Sequence, residues 1–197
     1  MKAVVIDYYD SFVYNIVHYL EGMEVDVTIV KDRDVVLSDL DSFDFIVLSP
    51  GPGLPDETFS MNSILSHYAA HKPIIGICLG MQGIAAHFGG KLYNLNHAAH
   101  GVSIEMDILS NDSIYKGIPK KTMVGIYNSW ACSTETSDSL QLLSESGEKI
   151  VLSIKHKKLP IYGLQFHPES ILTDNGKQIL NNFVEIVVFL NPLKHKL

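Results

Sequence analysis

The chain has 197 residues, of which 46% are hydrophobic and 19% charged, and carries a net charge of −7. That length suits one domain with a sizeable core, and an acidic balance without clustered Lys and Arg argues against a nucleic-acid partner. Two cysteines make no disulfide framework, and no apolar run approaches the roughly 18 to 20 residues that a membrane span needs.

Met1 to Asp7 lacks the basic start and the longer apolar core of a secretory signal, so a cytoplasmic protein is expected, with no membrane partner. The nine histidines include no H-E-x-x-H pair, and no C-x-x-C occurs; no metal site is expected in this chain.

The first element is a short apolar strand, Ala3 to Ile6. Asp10-Ser11 then offers a helix cap, and Phe12, Ile16 and Leu20 recur at helical spacing. Past Gly22, Val25, Val27 and Ile29 alternate with Glu24, Asp26 and Thr28, which predicts a strand with one wetter face, near a sheet edge. Phe45 to Leu48 is continuously apolar, as a strand covered on both faces would be, and it stops at Ser49-Pro50-Gly51-Pro52-Gly53.

Met61, Ile64, Leu65 and Tyr68 form the next helical stripe, and Pro73 to Ile77 the next buried strand. Strand and helix alternate in the manner of a parallel α/β sheet. From Val102 the texture changes. Val102, Ile104, Met106 and Ile108 alternate with polar residues, and Ile150 to Ile154 faces Ile161 to Phe166 across Lys155 to Lys158, read as a polar turn. A closing helix carries Ile179, Leu180, Phe183, Val184 and Val187. Residues 1–190 are therefore read as one α/β domain, an open, mostly parallel central sheet flanked by helices with a smaller antiparallel sheet in the second half. Residues 191–197 are read as a short basic tail.

Ligands in such sheets bind at the carboxyl ends of the strands, which singles out three loops. One holds Cys78, at a strand-to-helix turn between Gly76 and Gly80. A buried cysteine can be only a small hydrophobe. At a helix start, however, the free N–H groups and dipole favour thiolate, and the two glycines suit a turn too sharp for a Cβ. The same turn presents the Leu79 N–H as an oxyanion donor. Cys132 has no helix start beside it and is read as structural.

The second loop is His167-Pro168-Glu169. In extended chain His167 and Glu169 project to one side, so the carboxylate can orient the imidazole that takes and returns the thiol proton. The third, Ser49 to Gly53, offers glycine N–H groups unobstructed by side chains, suited to a second oxyanion donor.

Together the motifs G-I-C-L-G-M-Q at 76–82, S-P-G-P-G at 49–53 and G-L-Q-F-H-P-E-S at 163–170 resemble the class I, or triad, glutamine amidotransferases, and the resemblance runs from the first strand to the last helix. With the opening D-x-x-D-S-F-x-x-N at Asp7 to Asn15, the S-P-G-P-G loop looks like that of the glutaminase subunits that serve anthranilate synthase or aminodeoxychorismate synthase; guanylate synthetase domains tend instead to carry a G-G-P loop. This resemblance implies a flavodoxin-like fold and a cysteine, Cys78, that attacks the side-chain amide of glutamine. His167 would act as base and then acid, and Glu169 would orient it.

The resemblance also implies backbone N–H groups of Gly51 and Leu79 on the oxyanion, and Gly51, Pro52, Gly53, Gln82, Ser129 and Trp130 around the substrate. Ammonia would pass to a chorismate-binding synthase subunit that carries magnesium, so that this chain holds no cofactor of its own. Two departures stand out. His100-Gly101-Val102 replaces a common H-G-K, and Tyr127-Asn128-Ser129-Trp130 replaces a common Y-H-S-L. Three other readings remain at this point: a class I amidotransferase serving a different synthase, a peptidase or deglycase relative sharing the Cys elbow, and a non-catalytic regulatory subunit.

Overall fold

A computed structural model describes residues 1–95 and 100–190. In chain order its elements are β1 (Lys2–Asp7), α1 (Val13–Glu21), β2 (Asp26–Lys31), β3 (Phe45–Leu48), α2 (Met61–Tyr68), β4 (Ile74–Ile77), α3 (Leu79–His87), β5 (Lys91–Asn94), β6 (Val102–Ile108), β7 (Lys121–Ile126), β8 (Trp130–Ser133), β9 (Leu140–Ser146), β10 (Val151–His156), β11 (Ile161–Leu164) and α4 (Gly176–Leu190). The basic tail read at 191–197 lies outside the described residues.

The fold is α/β, with one large sheet and one small antiparallel one. The large sheet has nine strands in the order β2-β1-β3-β4-β11-β10-β9-β6-β7, and β5 pairs with β8 in the two-stranded sheet. β2, β1, β3, β4 and β11 are mutually parallel, and β10 to β7 continue the sheet antiparallel. β2 is the edge strand that its alternation predicts, with its side chains at best half-buried.

Helices cover both faces, and side chains alternate between them along each strand. Ala3 and Val5 of β1 pack with Phe45, Val47 and Ile75 against α1 and α4, while Val4, Ile6, Ile46, Leu48 and Ile74 pack against α2 and α3. β3, β4 and β11 are buried along their whole length, which is why they read as continuous apolar runs. α3 lies almost wholly inside, with every residue from Leu79 to Ala85 buried.

Two local expectations are corrected. Asp10-Ser11 does not cap α1; the helix starts at Val13 without a side-chain cap, and the Asp10 carboxylate instead accepts from Phe12 N at 2.7 Å, making a turn one step earlier. Lys155 is not part of a turn but of β10, where its ammonium lies 2.6 Å from Asp112 Oδ2. No helix among the described residues is long and apolar enough to cross a membrane.

The parallel strands β3, β4 and β11 are neighbours. Their carboxyl ends therefore deliver Ser49, Cys78 and Gln165 side by side, with the β1 end beside them.

Candidate active site

Cys78 stands between β4 and α3 with φ 52° and ψ −104°, a left-handed backbone that a residue with a Cβ adopts only under constraint. Its N–H is held by Leu164 O at 2.7 Å, and its carbonyl accepts from Gln82 N at 3.0 Å, so the strand and the helix pin it from both sides. The turn closes because its flanks lack side chains. A Cβ on Gly76 would lie 2.4 Å from the Gly80 carbonyl carbon, and one on Gly80 would lie 2.3 Å from Leu48 O. The N–H of Leu79 belongs to the first turn of α3, whose amides have no partner within a helix.

His167 follows β11 by way of Gln165 and Phe166. Its backbone is fixed by a hydrogen bond from its N–H to Gly125 O at 3.0 Å, and its carbonyl accepts from Thr173 Oγ1 at 2.6 Å. Nδ1 lies 2.7 Å from Glu169 Oε1, and the side chains of this pair are 2% and 0% exposed. Nε2 is buried and makes no hydrogen bond of ordinary geometry among the described residues, and it is the nitrogen left to face the sulfur of Cys78. Burial opposes charge on the ring, but the neighbouring Cys78 sulfur and the Glu169 carboxylate outweigh it and push the imidazole up to about 10. The arrangement can therefore hold a proton on His167 beside the sulfur.

The Ser49-Gly53 loop is anchored at its start. Ser49 Oγ accepts from Tyr8 N at 3.0 Å and donates to Pro50 O at 2.7 Å. A cleft of about 160 Å³ lies beneath it, walled by Gly51, Pro52, Gly53, Cys78 and Gln82 on one side and by His100 and residues 127–130 on the other. Gly51, Pro52, Gly53, Gln82, Ser129 and Trp130 thus share one cleft with Cys78, and His167 and Glu169 stand behind the sulfur. Leu79 lines a neighbouring hollow together with Pro52. A larger cavity, about 460 Å³, lies between residues 55–59 and the α2–α3 pair, but no cysteine lines it.

The far wall is built around the Trp130 carbonyl. It accepts from Gln82 Nε2 at 3.0 Å and from Asn128 Nδ2 at 2.7 Å, which engages both of its lone pairs. Asn128, one of the two departures noted in the sequence, thereby braces its own loop from position i to i+2.

Three residues at the site escape the sequence reading. Phe12 and Tyr127 place their rings 5.6 and 4.8 Å from the imidazole of His167. Gln165, fully buried, directs Nε2 at Cys78 Sγ, 3.7 Å away. Helical spacing puts Phe12 in a core stripe, and Gln165 reads only as part of a motif. Cys132, by contrast, is fully buried in β8, and burial pushes its thiol up to about 12, as suits a structural residue.

The family described as glutamine amidotransferase class-I matches residues 4–187. Anthranilate synthase component 2 of Lactococcus lactis is 38% identical over 189 residues, covering 93% of this chain and 94% of that protein. A Bacillus subtilis protein named aminodeoxychorismate/anthranilate synthase component 2 is 35% identical over 185 residues, covering 92% and 95%. Among solved structures, a Thermoplasma acidophilum protein provisionally described as a GMP synthase subunit superposes with a TM-score of 0.89 at 29% identity, over 100% of this chain and 98% of that one.

Proposed function

Because the chain belongs to the class I glutamine amidotransferases, we propose that its cleft hydrolyses glutamine through a Cys78 thioester and supplies the ammonia to a chorismate-using synthase subunit. The observation that carries this reading is the left-handed turn at Cys78, open to a cleft and backed by the 2.7 Å His167–Glu169 pair.

In this mechanism glutamine lies with its side-chain amide at the sulfur and its α-amino and α-carboxyl ends toward Gln82, Ser129 and Trp130. The thiolate adds to the amide carbon, and the oxyanion forms toward the Gly51 and Leu79 N–H groups. The C–N bond then breaks as His167 hands its proton to the leaving nitrogen, giving ammonia and a glutamyl thioester. Water adds to the thioester with His167 as base, the C–S bond breaks, and glutamate leaves. Glu169 keeps the imidazole in one tautomer through both steps. The chorismate and magnesium chemistry belongs to the synthase partner, and both proteins work in the cytoplasm as a hetero-oligomer.

Treatment with a glutamine-analogue electrophile followed by peptide mass spectrometry tests the glutaminase step. Label on Cys78 that disappears in Cys78→Ser supports it, and label on Cys132 would falsify it. Assay of the co-purified complex with chorismate and glutamine then reads the branch directly, as anthranilate or as aminodeoxychorismate.

The likeness to a protein described as a GMP synthase subunit favours a second reading, in which the ammonia goes to a nucleotide synthetase. Relatives at 35% and 38% identity carry chorismate-branch names, and the S-P-G-P-G loop fits them better. A nucleotide-binding synthetase recovered as the stable partner would reverse that preference.

A further inference from the structure

We infer that Gln165 is a hydrogen-bond donor to the nucleophile, and that its amide is oriented from the Trp130 carbonyl through Gln82. Gln165 stands between β11 and His167 with no exposed surface, and its backbone N–H is tied to Leu152 O at 2.8 Å. A wholly buried side-chain amide is costly unless both of its ends are satisfied. Here one end meets Cys78 Sγ at 3.7 Å and the other meets Gln82 Nε2 at 3.3 Å.

The two ends of an amide have nearly the same shape, so partners must decide which is nitrogen. A backbone carbonyl only accepts. The end of Gln82 that lies 3.0 Å from Trp130 O must therefore be its NH₂. The same NH₂ donates to Gln165, whose near end must then be its oxygen. That leaves the NH₂ of Gln165 for the sulfur. Asn128 Nδ2, 2.7 Å from the same carbonyl, holds the start of this chain of choices in place.

An N–H donated to sulfur favours the charged thiolate over the thiol, since hydrogen bonds to ionised acceptors are the stronger kind. Among the described residues, the ionisable groups around Cys78 are His167 with Glu169 behind it, and His100 and Tyr127 in the cleft wall. Gln165 adds a neutral donor that does not titrate. It therefore holds the sulfur at any pH, whereas the imidazole does so only while protonated. On the glutaminase reading proposed above, the Trp130 loop that seats the substrate is also the point from which the amide at the nucleophile is oriented.

The test is alkylation of Cys78 by iodoacetamide, followed by peptide mass spectrometry across pH. In Gln165→Met, similar in length but without a donor, the midpoint of the rate profile should move up by about one pH unit, the effect of one hydrogen bond to a charged group. The kcat for glutamine should fall about tenfold with KM little changed. Gln82→Met, which removes the orienting group but leaves the donor at position 165, should move the midpoint less. A folded Gln165→Met with the wild-type profile overturns the inference. If that variant does not fold, the wild-type chain decides: the side-chain amide proton of Gln165 should shift in the NMR spectrum when Cys78 is alkylated, and a fixed resonance overturns it. Alkylation reads thiol chemistry alone, so a shifted profile in a chain that does not turn over glutamine even when co-purified with its synthase partner would refute the glutaminase reading and leave this one standing.

Discussion

Phe12 stands edge-on to the imidazole of His167, with ring centroids 5.6 Å apart and planes inclined by 69°. Tyr127 meets the same imidazole at 4.8 Å, and the two aromatic rings are 5.2 Å from each other. With Nδ1 tied to Glu169, these rings restrict the remaining freedom of the base. Phe12→Ala should lower kcat for glutamine hydrolysis roughly 3- to 10-fold, in keeping with an aromatic contact of about 0.5–1.5 kcal/mol. KM should change little, because Phe12 does not line the cleft. Steady-state glutaminase kinetics check this, and a loss confined to KM would speak against it.

How much of the site could be read in the sequence follows from how local its signals are. Cys78 with Gly76 and Gly80, and His167 with Glu169, are contacts within a few residues, so their spacing is legible in the sequence, with H-P-E gaining its weight from the Cys turn. Phe12 and Gln165 act through partners brought close only by the fold. Phe12 meets Tyr127 and His167 because β1 ends beside the other strands, and helical spacing gave it the wrong face. The antiparallel strands of the second half were visible as alternation and a hairpin, but alternation does not say which strand lies next to which. β10 pairs with β11, so most of that half extends the main sheet. The small sheet of β5 and β8 is not legible in the sequence because β5, exposed or half-buried throughout, has no apolar run to read.

Gly80 is a steric requirement of the turn. A Cβ there would sit 2.3 Å from Leu48 O and 2.8 Å from Leu48 Cβ, and the backbone of a fully buried strand cannot yield. Gly80→Ala should destabilise the fold by roughly 2–4 kcal/mol, as overpacking against fixed atoms does. Gly147, where a Cβ would meet nothing within 4 Å, serves as the control. Chemical denaturation of Gly80→Ala and Gly147→Ala checks the contrast. Equal midpoints for the two variants would contradict the packing argument.

The raised proton affinity of His167 has a consequence for stability. Burial works against it, but the Cys78 sulfur and Glu169 carry the folded-state value up to about 10, above the ~6.5 of a histidine in the unfolded chain. The folded protein thus keeps a proton that the unfolded chain gives up. Its contribution is complete below about pH 6.5 and fades as pH rises through about 10. The Tm of the wild type minus that of His167→Gln should therefore shrink between pH 6.5 and 10. Taking the difference cancels the groups that are not coupled to His167. A difference that grows with pH would reverse the sign and refute the assignment.

Glu169 allows the sharpest separation of orientation from binding. Its side chain is fully buried, with Oε1 on His167 Nδ1 at 2.7 Å and Oε2 buried without a hydrogen-bond partner among the described residues. Glu169→Gln preserves the shape but removes the charge that stabilises the imidazolium. Where its NH₂ faces Nδ1, the ring proton is driven to Nε2, and the nitrogen beside the sulfur can no longer accept. The kcat should fall on the order of 100- to 10,000-fold, the range expected when a base loses its orienting carboxylate. KM for glutamine should hold within a few-fold, since Glu169 lies behind the imidazole and outside the cleft wall. Rapid-quench measurement should show the loss already in thioester formation. A variant that forms the thioester at the wild-type rate would remove Glu169 from the proton-transfer step.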